Sequence, residues 1–184
     1  AIRFATRLNF RIDAATWTAL VLAAPTIKRI SSERVRDELT RIWTEGGAAH
    51  GLELMFEAGL LQHVLPEVAA MKGVPQPAEF HPEGDVWEHV RLMMASIDIL
   101  VDPSPTLAWG VLLHDIGKPP TFQPSSATAA RIRFDGHDAK GAEMVDQIAQ
   151  RLRFANRDRT RIRDLTAHHM RFRNVQAMRR SKLK

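Results

Sequence analysis

An all-α fold is predicted by three features of this 184-residue chain. Apolar residues recur at i, i+3 and i+4 along most of its length, the period of an amphipathic helix. Prolines and glycines punctuate the apolar runs at 25, 46–47, 59, 66 and 72–84. Only residues 131–134 (RIRF) have the composition of a short strand.

The elements follow in order. Asp13 is placed to cap a helix through Trp17, Leu20 and Val21, which Pro25 ends. Ser31 or Ser32 can cap the next, where Val35, Leu39 and Ile42 share a face and Gly46-Gly47 stops the run. A third carries Leu52, Met55, Phe56 and Leu60, is interrupted at Gly59, and continues through Leu61, Val64 and Leu65 to Pro66. Residues 72–84 hold three prolines and two glycines, so they read as a loop and as the domain boundary. Helical patterns then cover 86–101, 106–116, 141–154 and 160–172, with a Pro/Ser/Ala loop at 119–130. This organisation predicts a helical subdomain over 1–71, a linker over 72–84 and a second helical bundle over 85–184.

Cysteine is absent, which excludes disulfides and thiolate metal sites and leaves His and carboxylate as ligands. No apolar run approaches the ~20 residues of a membrane span, so no membrane partner is expected and a cytoplasmic setting fits. The opening AIRFATRLNF lacks an initiator Met and a signal-peptide core, and RRSKLK ends on a basic run; both are what a fragment would show. The net charge of +5 is segregated: residues 151–184 carry +10, residues 1–41 carry +4, and the middle carries −9. Two basic ends around an acidic centre suit a polyanion gripped away from a metal-binding middle. The plainer alternative is that arginine-rich helices are merely solvated, or pair with the acidic segment.

The histidines are the informative residues. His114-Asp115 closes an apolar helix in LLHDIGKP, His89 lies in an earlier helix, His137 opens a later one, and His168-His169 end the next. Imidazole and carboxylate together suit a divalent cation. Adjacent residues on a helix point about 100° apart, so His114 and Asp115 can share one metal only near the helix end. Each histidine alone reads equally as a core or surface residue; the combination carries the argument. His50 and His63 read as ordinary, and His81 stays open.

FHPEGDVWEH, LLHDIGKP, RFDGHDAKGAEM, LRFAN and HHMRF, in this order, resemble the HD domain of class II nucleotidyltransferases, the bacterial CCA-adding enzymes and poly(A) polymerases. RFATRLNFRID followed by ISSERVRDEL resembles the RNA-binding neck behind the polymerase head of that family. The resemblance spans essentially the whole chain. It implies a phosphohydrolase centre in which His89, His114 and Asp115 hold a divalent metal (Mg, Mn, Ni, Zn or Fe), with His137 as the next ligand. It implies His168 and His169 as ligands of a second metal. Many HD proteins complete the site with a late aspartate; here none follows Asp164, Asn174 stands in its place, and the resemblance leaves the position to Asp138, to water, or incomplete. Asp115 would also orient the attacking water, and Lys118 would stabilise phosphate charge or, alternatively, neutralise a helix C-terminus. The head's Gly-Ser motif and Asp-x-Asp pair do not occur, so nucleotide addition is not expected of these residues. The expected partners are the head of the parent chain and RNA, tRNA or RNA 3′ ends, with phosphates met by Arg151, Arg153, Arg157, Arg161 and Arg163. Positions 153, 157 and 161 are spaced for one helical stripe. A binding module with an inactive HD domain and a free-standing HD nucleotidase are the alternatives.

Overall fold

A computed structural model describes residues 1–125 and 131–172. Helices α1 (Ile2–Leu8), α2 (Ala14–Ala23), α3 (Ser32–Thr44) and α4 (Ala48–Glu57) form the first half, with a 3₁₀ turn at Ala24–Arg29 and single turns α5 (Leu61–Val64) and α6 (Pro66–Ala69) behind them. The second half is α7 (Val86–Ile97), α8 (Pro105–Leu113), the short α9 (Lys118–Thr121), α10 (His137–Arg151) and α11 (Asn156–His168), ending in a 3₁₀ turn at His169–Phe172. The all-α expectation holds. Residues 131–134 make no strand; Arg133 and Gln123 exchange two backbone hydrogen bonds as an isolated antiparallel bridge. No helix among the described residues is long and apolar enough to cross a membrane.

Local chemistry explains most boundaries. Asp13 accepts a hydrogen bond from the Thr16 N–H at 3.0 Å, capping α2 as its sequence predicts. Asp85 caps α7 through the Glu88 N–H and, with its other oxygen, accepts from the Gly73 N–H at 2.6 Å. That second bond pins both ends of the 72–84 loop together. The helical segment before Pro66 ends at Val64, as expected, and Pro66 itself opens α6 at its first position, where its missing N–H costs nothing. The helix predicted over 86–101 stops at Ile97, and the apolar pattern that starts at 141 belongs to a helix opened by His137, as its place in the sequence implies.

One hydrophobic core runs through both halves, from Ile2, Leu39 and Trp43 to Met94, Trp109, Val145 and Ile162. Trp109 is its pivot. Its ring meets Trp43 of α3 edge-on at 6.4 Å and Phe154 at 5.2 Å, and its indole N–H donates to the Thr40 hydroxyl at 2.9 Å. The α8 sequence PTLAWGVLL is apolar all round and buries Ala108, Trp109, Leu112 and Leu113. This central helix delivers His114 and Asp115 to the interior.

Candidate metal centre

Asp115 is the focus of the second half. The α-helix proper ends at Leu113, with His114 as its C-cap. In the irregular turn that follows, the neighbouring His114 and Asp115 side chains converge. Asp115 is 2% exposed. Its Oδ2 lies 3.1 Å from His114 Nε2 and 3.7 Å from His89 Nε2. Its Oδ1 lies 3.6 Å from His137 Nε2 and 3.5 Å from His169 Nε2. Four imidazoles from four parts of the chain thus surround one carboxylate, two on each oxygen.

The tautomers follow from the surroundings. His114, His137 and His169 donate from Nδ1 to the carbonyls of Val111, Phe134 and Thr166 at 2.7, 2.8 and 2.7 Å. His89 donates from Nδ1 to Glu83 Oε1 at 2.7 Å. Acceptors on the Nδ1 side leave neutral rings with lone pairs on Nε2, aimed inward. Yet Nε2 of His89 and His114 stand 3.2 Å apart, and those of His137 and His169 stand 3.3 Å apart. Lone pairs facing at that distance repel unless a cation or a proton lies between them. Asp115 Oδ1 is buried without a hydrogen bond, a second sign of a cation's place. The donors fit a divalent metal, and two groups of three around Asp115, His89/His114/Asp115 and Asp115/His137/His169, have the spacing to hold one; a third group with such spacing, His81/Glu83/His89, lies outside them.

The electrostatics agree at His89, His137 and Asp115 and differ at His169. Burial pushes the His89 and His137 rings down, favouring the neutral ligand form. Burial also acts to raise Asp115, but His114, His169 and Lys118 outweigh it and hold the carboxyl well below the usual carboxylate range. His169 is lowered by burial, but its interaction with Asp115 more than reverses this and its pKa rises. Glu83 is pushed up by burial and brought down, to about 2, by hydrogen bonds from His81, from its own backbone and from His89, in that order. Lys118 Nζ sits 2.8 Å from Asp115 Oδ2 and donates to Gln76 Oε1 at 2.6 Å, all within the interior. It therefore serves the carboxylate, not the carbonyls of a helix end.

A glycine makes the convergence possible. A Cβ on Gly117 would fall 2.0 Å from the His137 carbonyl oxygen and 2.7 Å from the Gly141 N. The start of α10 lies directly on this backbone, which brings His137 to Asp115.

Some sequence-predicted residues are not drawn in. His168 donates from Nδ1 to the Asp164 carbonyl at 2.9 Å and joins no ligand group with Asp115, although it lines a neighbouring cavity that His114 and His169 also border. Its neighbour His169 begins the 3₁₀ turn toward Asp115, so the two diverge as consecutive helical residues do. Asp138 joins neither ligand group. Asn174 lies outside the described residues. Conversely, Glu83 and Gln76, both in the 72–84 loop, escape a reading based on helical period because neither lies on a helix. His81 donates to Glu83 at 2.9 Å.

The basic segment is divided. Arg151 pairs with Glu67 at 2.7 Å, Arg159 with Asp146 at 2.7 Å and Arg163 with the adjacent Asp164 at 2.9 Å. Arg153 takes φ 57° in the turn after α10, so positions 153, 157 and 161 do not form one helical stripe. Arg157 and Arg161, exposed on α11, have no ion pair among the described residues. Arg36 of α3 donates to the Arg153 carbonyl and lies over the Phe154 ring, bringing the two basic ends together.

Comparison with known proteins gives this geometry a family. A model described as the probable RNA and SrmB-binding site of polymerase A matches residues 9–72, and the HD-domain model matches residues 85–183. The chain is 37% identical over 176 residues to an A-adding tRNA nucleotidyltransferase of Deinococcus radiodurans, covering 92% of this chain and 40% of that protein. It is 34% identical over 173 residues to a multifunctional CCA protein of Alkalilimnicola ehrlichii, covering 91% and 40%. A multifunctional CCA protein of Cupriavidus taiwanensis is 33% identical over 157 residues, covering 84% and 36%. The chain spans about two fifths of the length of these relatives. It belongs to the HD-domain family, with an RNA-binding segment of the polymerase A type ahead of the HD domain, the pair that matches the C-terminal part of CCA-adding tRNA nucleotidyltransferases.

Proposed function

We propose that this region holds RNA 3′ ends, tRNA foremost, for a nucleotidyltransferase head in the cytoplasm, and that its HD centre is a metal-dependent phosphohydrolase. The observation that carries the second part is one buried carboxylate facing two pairs of inward Nε2 atoms. Residues 1–71 and the basic α11 serve RNA, residues 85–184 supply the hydrolytic centre, and 72–84 connect them. This is a division of labour within one core.

His89, His114 and Asp115 would hold one divalent ion, and Asp115, His137 and His169 a second. Imidazole ligands favour Fe, Ni or Zn over Mg or Mn. The metal, when bound, supplies Lewis-acid activation of water and charge neutralisation at phosphorus. The chain's residues do the rest. A cavity of about 550 Å³ opens over Asp115, walled by Phe80 and Phe134 and bordered by Arg131 and Arg133. Its arginines offer cations to phosphate, which suits a phosphodiester or a 2′,3′-cyclic phosphate at an RNA end. Lys118 lines the same cavity, and its ammonium, held by Asp115 and Gln76, would add positive charge where a phosphate binds.

The test is the double substitution His114→Ala with Asp115→Ala. It should abolish divalent-metal binding and any metal-dependent phosphatase activity, with tRNA affinity nearly unchanged. Equal loss of both functions in a variant that still melts cooperatively would overturn the separation of the two surfaces. A wild-type chain that binds no divalent metal would leave RNA binding as the whole function.

A further inference from the structure

Glu83 lies in the loop between the two halves, outside both ligand groups that contain Asp115. Its Oε1 accepts from His89 Nδ1 at 2.7 Å and from His81 Nδ1 at 2.9 Å. His89 is the exception among the four inward imidazoles. The other three are oriented by backbone carbonyls three residues before them, Val111, Phe134 and Thr166. Those acceptors are fixed by the helix ends themselves. His89 lies in the first turn of α7, and its Nδ1 bonds instead to a side chain of the preceding loop.

From this arrangement we infer that Glu83 is the positioning residue of the metal centre, fixing His89 in the Nδ1–H tautomer so that Nε2 faces Asp115 and His114. The inference rests on the metal-centre reading proposed above for its functional consequence, though the tautomer itself is independent of it. A carboxylate on the far nitrogen orients the ring and raises its basicity as a ligand, a stronger effect than a neutral carbonyl gives. The loop is held for this task. Gly84, at φ 126°, turns the chain between Glu83 and the Asp85 cap. The Val86 N–H donates to the Val74 carbonyl at 3.0 Å, and Gln76 reaches Lys118 at 2.6 Å. The segment that reads as a linker is therefore the outer wall of the site. His81, on the same carboxylate oxygen, braces Glu83 from the cavity side.

The test compares Glu83→Ala and Glu83→Gln with the wild-type chain. Co²⁺ is titrated in competition with a chromophoric chelator, its d–d absorption is recorded, and the ring nitrogens of His89 are observed by ¹⁵N NMR in the metal-free chain. Removing an outer carboxylate should weaken Co²⁺ by roughly 10- to 100-fold and change its absorption. Glu83→Gln, which keeps a neutral acceptor, should fall between the two. Wild-type His89 should show the Nδ1–H tautomer, and Glu83→Ala a mixture. Unchanged Co²⁺ affinity and an unchanged His89 tautomer in Glu83→Ala would overturn the inference. If that variant does not fold, wild-type affinity and tautomer in Glu83→Gln overturn it instead. Should the wild type bind no Co²⁺, the metal reading falls, and the tautomer comparison alone decides the role of Glu83.

Discussion

Gly117 shows how much a single residue decides. It carries no chemistry, yet its missing Cβ lets α10 rest on the HDIGK turn. A methyl group there would meet backbone atoms, which cannot rotate away. Gly117→Ala should therefore destabilise the fold by at least the ~1–3 kcal/mol typical of overpacking. It should also displace His137 from Asp115, so divalent-metal affinity should fall even where the variant remains folded. Thermal melting and metal titration on the same sample check both, and an unaltered melting temperature would refute the close approach of α10. At this scale the sequence named His89, His114, Asp115, His137, His169 and Lys118, and all six gather at one point. It also named His168, which faces elsewhere. Nothing in a string of letters distinguishes the inward member of a His-His pair; the turn that starts at His169 does.

Among the elements, α2 is the least supported by packing. AATWTALVLA is strongly apolar, yet none of its residues is buried, and Leu22 is 75% exposed. Its integrity leans on the Asp13 cap. Hydrogen bonds from Thr16, side chain first and then backbone, lower the Asp13 pKa from 3.8. A carboxyl depressed in the folded state contributes stability that is present above its ordinary pKa and is lost as pH falls through the folded value. Amide protection of α2 should therefore drop as pH falls below 3.8 in the wild type. Asp13→Asn, an equally good cap without a titrating group, should show no such drop. Hydrogen exchange resolved to α2 measures the difference; identical pH profiles would mean that the cap is idle. The caps at Asp13 and Asp85 are local chemistry and could be read or searched for in sequence. The true extent of α7, which ends at Ile97 and not at 101, was not legible: Asp98 turns to accept the Ala48 N–H, and the apolar residues Ile99 and Val101 stand exposed beyond it.

The whole molecule sorts its charges into distinct tasks. Arg151 and Arg159 pair with Glu67 and Asp146 of the acidic middle, as the structural alternative required. Arg157 and Arg161 stand exposed on α11 without such pairs among the described residues. Arg157→Glu with Arg161→Glu should thus weaken tRNA binding while leaving the melting temperature unchanged. Each phosphate neutralised by one arginine fewer should flatten the salt dependence by roughly 0.7 in log–log slope for single strands. Unchanged affinity with a lowered melting temperature would assign these arginines to the fold and remove α11 from the RNA surface. Arg36 reaching the Arg153 carbonyl shows why the two basic ends belong to one surface although over a hundred residues separate them.

What the sequence determined by itself was the helical class, the loop at 72–84, the histidine and aspartate set, and the family, because period, capping chemistry and ordered motifs are written locally. What only the tertiary structure decided was how these parts meet. One core, pivoting on Trp109, joins halves that the proline-rich loop divides in the sequence, because α3 and α4 bury their apolar faces against α8 and α7. The loop itself proved to carry Glu83 and Gln76 into the site. Its residues follow no period, so their roles arise from where folding places them: beside an imidazole and an ammonium whose buried polar atoms require partners.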